Sequence, residues 1–284
     1  MRTLRSRCLI LGLCVVLAAP AFSRAETLEG RWFLDFDRAD GRVQLTMKRT
    51  SSHGHSTNSS SYSPEDFRGL SLPRGGGTTP ARFELVRDAG TVRFEGQLDE
   101  SGGSGRFQFT ASPEFGVFWR SRGNDSLSAE DAYAFTMHDV SRRFLDDLGA
   151  LGYDRVPAGD LVSMRIHGAT PEFIRDLKAL GYDHIPVDGL VSLRIHGATP
   201  EFIRDLKALG YEHVPADGLV SMRIHGVSPD YVRQLQELGY RRVPIDSLVS
   251  MRIHGVSIDY ARKMKERHGE ISPDELVNMR IHGR

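Results

Sequence analysis

Residues 169–197, ATPEFIRDLKALGYDHIPVDGLVSLRIHG, are followed by 29 residues that differ from them only at Asp183/Glu212, Ile185/Val214, Val187/Ala216 and Leu193/Met222. No feature of the chain restricts its fold more, because near-identical segments in tandem must each adopt a structure able to pack against copies of itself. Stepping by 29 residues links His138, His167, His196, His225 and His254, and a final step of 28 reaches His282. Fainter copies keep this register: ASPEF at 111–115 lies 58 residues before ATPEF at 169–173. The expectation is six units from about Ala111 to the C-terminus.

Each unit reads as two short helices. Thr170 suits the N-cap, Pro171 the first turn and Glu172 the positive end of the helix dipole. Phe173, Ile174, Leu177 and Leu180 recur at helical spacing as the buried stripe. Gly181 can take the left-handed stop that returns Tyr182 onto Leu177. The second helix starts near Pro186. Its clearest version is SPDELVNMRIHG at 272–283, where Ser272 and Glu275 form a capping box and Gly283 ends the helix. One such hairpin buries too little apolar surface to offset the entropy of ordering it, so neighbours must supply the rest. The implied architecture is an α-solenoid of about six 29-residue helix-hairpin repeats.

The second helices also repeat a set that resembles a catalytic triad: Asp188, Ser192 and His196, four residues apart, on one helix face. A working triad places histidine between the nucleophile and the acid. Here serine is in the middle, and the carboxylate lies about 12 Å from the histidine along the axis. The serine position is Ala134 in one unit and Asn278 in another, so no catalytic residue is assigned. Asp188 and His196 instead suit the two ends of the helix dipole, and serine is small enough for a neighbouring helix to approach. Adjacent helices about 8–10 Å apart cannot direct a ladder of histidines onto one zinc ion. His53 and His55 form a looser metal-ligand pair in what reads as a serine-rich loop, too few for a defined site, and no cofactor is expected. Arg165, Arg194, Arg223, Arg252 and Arg280 make a regular basic ladder. It has two readings: pairing with acids of the adjoining helix, such as Asp176 or Asp205, or a stripe that binds an anionic partner.

Before residue 111 the pattern changes. RWFLDF (31–36), RVQLTM (42–47), RFELV (82–86), TVRFEGQL (91–98) and GRFQFT (105–110) alternate apolar with polar residues, as half-buried strands do. RADG, RDAG and DESGGSG supply turns, and SPEDFRGL reads as a short capped helix. The fold class is therefore α+β: a small antiparallel β-sheet or sandwich over 26–110, then the helical repeats over 111–284. The last strand runs into the first unit without a linker, which predicts a fixed junction.

Residues 1–25 read as an export signal: a basic start, the apolar CLILGLCVVLAAP, and small residues before Glu26. Both cysteines, Cys8 and Cys14, fall inside it, so cleavage would remove every thiol. It would also leave 33 basic against 37 acidic residues. That balance and an exported address argue against a nucleic-acid partner. No stable membrane insertion is expected after cleavage, and a periplasmic or secreted location follows.

TPEFIRDLKALGY and LVSMRIHG resemble tandem repeats of exported bacterial proteins and of the C-terminal extracytoplasmic region of beta-lactam sensor-transducer type membrane metallopeptidases. The pattern GRWFLDF…VQLTMKR…FELVRDAG resembles the segment preceding those repeats. The peptidase part, with its HExxH zinc helix and membrane spans, is absent, so the resemblance implies an accessory or sensing region without proteolytic activity. The reading is a non-enzymatic interaction protein that binds a protein or peptide through its helical repeats. The alternative is an envelope ligand or stress sensor whose β-domain holds the ligand, and a hydrolase ranks third.

Overall fold

The computed structural model describes residues 27–37, 40–51, 54–71, 73 and 75–283. The residues read as an export signal, both cysteines and His53 lie outside them. Over the described residues the chain is α+β, a seven-stranded antiparallel sheet followed by twelve helices. The strands are β1 (Thr27–Asp37), β2 (Arg42–Ser51), β3 (Gly54–Tyr62), β4 (Phe67–Arg68), β5 (Thr79–Arg87), β6 (Gly90–Leu98) and β7 (Gly102–Ala111). They lie in the order β3-β2-β1-β7-β6-β5-β4.

Alternation along these strands puts Trp32, Leu34, Leu45, Phe83, Phe94 and Phe109 on one buried face. Trp32 is fully buried, donates from its indole nitrogen to the Glu95 carbonyl at 3.2 Å and meets Phe83 edge-on. Gly96 and Gly105 are opposite each other beside this indole, and a side chain on Gly96 would collide with it. Two expectations need correction here. The serine-rich stretch holding His55 is a strand, not a loop: β3 pairs with β2 along its length. As an edge strand it needs backbone pairing more than apolar alternation, and only Tyr62 at its end is buried. Its serines bond across the strands, with Ser61 accepting from Arg42 and Ser59 from Gln44. The expected helix at SPEDFRGL is a single 3-10 turn, Pro64–Asp66, because Phe67 immediately enters β4 and packs on Phe83 and Phe94.

The helices are α1 (Pro113–Ser121), α2 (Ala129–His138), α3 (Arg142–Ala150), α4 (Ala158–His167), α5 (Pro171–Ala179) and α6 (Val187–Ile195). They continue as α7 (Pro200–Ala208), α8 (Ala216–Ile224), α9 (Pro229–Glu237), α10 (Ile245–Ile253), α11 (Ile258–His268) and α12 (Pro273–His282). Odd-numbered helices open on Ser or Thr caps, as where Thr170 accepts from the Phe173 amide. Gly181 has φ of +86°, and the Tyr182 amide bonds back to the Leu177 carbonyl at 3.0 Å. In α12, Ser272 and Glu275 close the reciprocal capping box. Even helices pack on even, α2 through α12, and odd on odd from α3 through α11.

Polar contacts link successive helices at fixed sequence separation. Lys178 donates to the Leu151 carbonyl at 2.8 Å, Lys207 to Leu180 at 2.7 Å, Gln236 to Leu209 at 2.9 Å and Lys265 to Leu238 at 2.6 Å. Each thereby covers the open carbonyl end of the preceding odd helix. The Tyr153, Tyr182 and Tyr211 hydroxyls donate to the carbonyls of Ile185, Val214 and Val243, each at 2.8 Å. Burial raises all three phenol pKa values. Tyr240 occupies the equivalent place, but its buried hydroxyl has no hydrogen-bond partner among the described residues.

Sheet and helices join without a gap. Ser112 bonds to the Ala89 carbonyl at 2.9 Å and caps α1. Helix α2 lies across the buried face of the sheet, where Ala132, Tyr133 and Met137 complete the core around Trp32. Tyr62 donates to the Met137 carbonyl at 2.9 Å, and burial raises its pKa to about 12. The expected boundary at residue 111 thus falls within continuous packing, because α2 serves both parts.

Candidate functional site

The repeated RIHG segments form the ends of the even helices. In α6 the helix closes at His196, and Gly197 turns the chain with φ of +70°, which glycine adopts without the Cβ penalty. The last carbonyls carry the negative end of the helix dipole. Arg223, from the following even helix, donates its Nε to the His196 carbonyl at 3.3 Å and lies 5.1 Å from the centre of the Phe202 ring. Arg194 repeats both contacts with His167 and Phe173. Arg165 does so with His138, at 2.9 Å, and Phe144. Arg252 and Arg280 lie over Tyr231 and Tyr260 at 4.9 and 5.0 Å.

The arginine ladder is therefore real, but its contacts differ from those expected. Neither Asp176 nor Asp205 pairs with it; among the described residues the one carboxylate within salt-bridge distance of these five arginines is Asp139, 2.9 Å from Arg165. Carbonyl ends and aromatic faces take the place of acids: Arg165, Arg194 and Arg223 each bond to the carbonyl end of the preceding even helix, and all five guanidinium groups lie over an aromatic ring of the odd helix just before their own. At the first such contact, burial and then the nearby Arg165 charge lower the pKa of His138.

Among the described residues no hydrogen bond joins the Ser192 side chain to a histidine; the bond between the two residues runs from the His196 amide to the Ser192 carbonyl, at 3.0 Å. His55 lies exposed on β3 with its Nδ1 3.0 Å from the Thr50 hydroxyl. No group of three or more His, Cys, Asp or Glu residues is placed to hold a metal ion among the described residues.

What the sequence did not single out is the residue between arginine and histidine. Ile166, Ile195, Ile224, Ile253 and Ile281 are 51–55% exposed, while almost every other large apolar side chain of these helices is at least half-buried. They recur once in each even helix from α4 to α12, flanked by an arginine and an exposed histidine, whereas α2 has the buried Met137 in that place. Isolated exposed apolar residues are ordinary, whereas a regular row of them marks a surface that other molecules can cover. The signal was present in the fixed RIHG wording, but helical periodicity does not reveal which side of a helix its neighbours leave open.

Fold and surface together define an antiparallel sheet extended by a helical array that presents a repeated basic and apolar edge. No protein-family model, curated protein or solved structure matches the chain.

Proposed function

We propose that this is an exported, non-enzymatic interaction protein, periplasmic or secreted, whose helical part binds a protein or peptide. In this reading residues 26–110 form the β-rich domain and residues 111–284 an α-solenoid of about six 29-residue hairpins. The even-on-even and odd-on-odd packing supports that architecture, as do links recurring 27 and 32 residues apart. The row of exposed isoleucines carries the functional reading. A partner laid along the even helices would remove these side chains from water once per hairpin, and a multiply repeated weak contact accumulates affinity. Four of the flanking arginines, Arg194, Arg223, Arg252 and Arg280, remain exposed while stacked, so they can offer remaining N–H donors to acidic or carbonyl groups on the partner. The resemblance to repeat regions of sensor-transducer proteins points the same way.

The test is partner capture by site-specific photocrosslinking from Ile195 and Ile224, compared with the triple variant Ile195→Ser/Ile224→Ser/Ile253→Ser. A discrete crosslinked protein, lost in a triple variant that keeps its helical circular dichroism, is the expected result. Crosslinks from these positions to no protein, or a partner retained by the triple variant, would remove the basis for the proposal.

A further inference from the structure

The sheet carries a feature that the helical docking surface does not explain. Cross-strand register places Lys48 on β2 directly opposite Arg31 on β1, and Arg31 directly opposite Arg106 on β7. All three are exposed on the face away from Trp32. Like charges directly opposite one another weaken strand pairing, so three cations abreast work against the fold that displays them. Among the described residues none has a carboxylate within salt-bridge distance. Glu95 is opposite Arg106, but its carboxylate is 3.6 Å from Arg82 on the other side. The Lys48 ammonium rests 4.9 Å from the Phe33 ring centre, which leaves its charge uncompensated.

These residues border a shallow concavity of about 970 Å³. Thr57, opposite Lys48, extends the row with a hydroxyl. Thr50, opposite His55 on the adjoining row, adds a second hydroxyl and an imidazole. The one acid on this lining is Glu29, whose carboxylate accepts from Gln108 at 3.1 Å. Arg49 borders the concavity as well, but its guanidinium is ion-paired with Glu130 of α2. The unpaired lining therefore holds two guanidinium forks and an ammonium, with hydroxyls at one side. Lys48 and Arg106 stand two strand spacings apart, about 9–10 Å at the backbone. Paired phosphate groups suit that span better than one carboxylate, and arginine forks bind phosphate oxygens in pairs.

We propose that this outer face of the sheet binds a multiply charged phosphate ester or pyrophosphate group, with Arg31, Lys48 and Arg106 as its principal contacts. Such a group reaches the protein either on a soluble phosphorylated glycan or nucleotide-like small molecule, or on a lipid headgroup. The bound anion cancels the repulsion along the row, so occupancy should also stabilise the sheet.

Titration calorimetry of the full chain with inorganic pyrophosphate at low ionic strength, beside sedimentation with vesicles containing phosphatidic acid, a phosphomonoester, and with neutral phosphatidylcholine vesicles, tests this. Saturable binding of pyrophosphate without vesicle binding assigns the site to soluble phosphates; binding to the anionic vesicles, but not the neutral ones, assigns it to headgroups. Either should weaken at least tenfold in Arg31→Gln/Arg106→Gln, severalfold in Lys48→Gln, and hardly at all in Arg82→Gln. Because the double variant relieves like-charge repulsion, its unliganded melting temperature should equal or exceed that of the parent, which separates lost binding from lost folding. The proposal fails if neither probe binds saturably, or if either binds equally well to a folded Arg31→Gln/Arg106→Gln protein.

Discussion

Removing the hydroxyl of Tyr182 should destabilise the protein, whereas the same change at Tyr240 should not. In Tyr182→Phe the Val214 carbonyl loses the 2.8 Å hydrogen bond that joins successive hairpins. A typical intramolecular hydrogen bond contributes about 0.5–1.5 kcal/mol net, and the half-buried site argues for the lower half of that range. Tyr211→Phe should cost the same, since its bond to Val243 is equally long. Tyr240 holds the corresponding place, but the step to the last unit is 28 residues rather than 29 and α11 runs to eleven residues instead of nine. Its hydroxyl is buried with no hydrogen-bond partner among the described residues. Deleting an unsatisfied polar atom removes a desolvation cost, so Tyr240→Phe should be neutral or stabilising by up to about 1 kcal/mol. Thermal unfolding followed by circular dichroism would read these changes as shifts of about 2–4 °C per kcal/mol for a chain of this size. The reasoning is wrong if Tyr240→Phe lowers the midpoint as much as Tyr182→Phe, or if Tyr182→Phe and Tyr211→Phe are both silent.

Gly181→Ala and Gly197→Ala should each lose about 1–2 kcal/mol from the left-handed backbone. The second should lose more, because its Cβ would come within 3.2 Å of Arg223 whereas Gly181 faces open space; denaturant titration of both variants checks the order. Arg223→Ala should cost about 0.5–1 kcal/mol from the Phe202 face alone, and combining it with Gly197→Ala should cost less than the sum, measured as a double-mutant cycle. Acid should weaken the odd helices. The pKa of Glu172 is held below its ordinary 4.5 by a hydrogen bond from its own backbone amide and then by Arg175, and Glu201 is similarly held by its own amide. With folded values below unfolded ones, this contribution is complete above about pH 4.5 and fades as pH falls through the depressed values; Glu172→Gln should flatten the melting profile there. Excising residues 198–226, which joins Gly197 to Val227, should give a folded, less stable protein, whereas removing 14 residues of the same segment should expose core positions such as Phe202 or Leu219 and abolish a cooperative melt.

Helix starts and stops were legible in the sequence because they depend on local chemistry: Thr170, Gly181 and the Ser272–Glu275 pair act on backbone within a few residues of themselves. Strand β3 was not legible. Its serines have no apolar alternation, and it is a strand because β2 offers a complete row of backbone partners. The arginine contacts were not legible for a related reason. A search for their partners among side chains looks to Asp176, yet the principal acceptor is a main-chain oxygen 27 residues earlier. The exposed isoleucines and the cationic row on the sheet depend on which faces neighbours cover and which strand positions meet. Arg31, Lys48 and Arg106 are far apart in sequence, and only strand register brings them abreast.

Helix α2 has a mechanical consequence. Its Tyr133 stacks on Phe107 of the sheet, the C-cap residue Asp139 that follows it lies between Arg87 of β5 and Arg165 of α4, and the Arg142 amide just beyond bonds to Asp88. Bending the helices against the sheet would have to shear an aromatic stack and open these polar contacts together, so the contacts at the junction resist such a motion jointly. If the helices form the proposed solenoid, a molecule pulling on the distal isoleucines would act on a lever arm held at its base by these contacts. Its torque would reach the strands that carry Arg31 and Arg106 through α2, rather than dissipate at the connection.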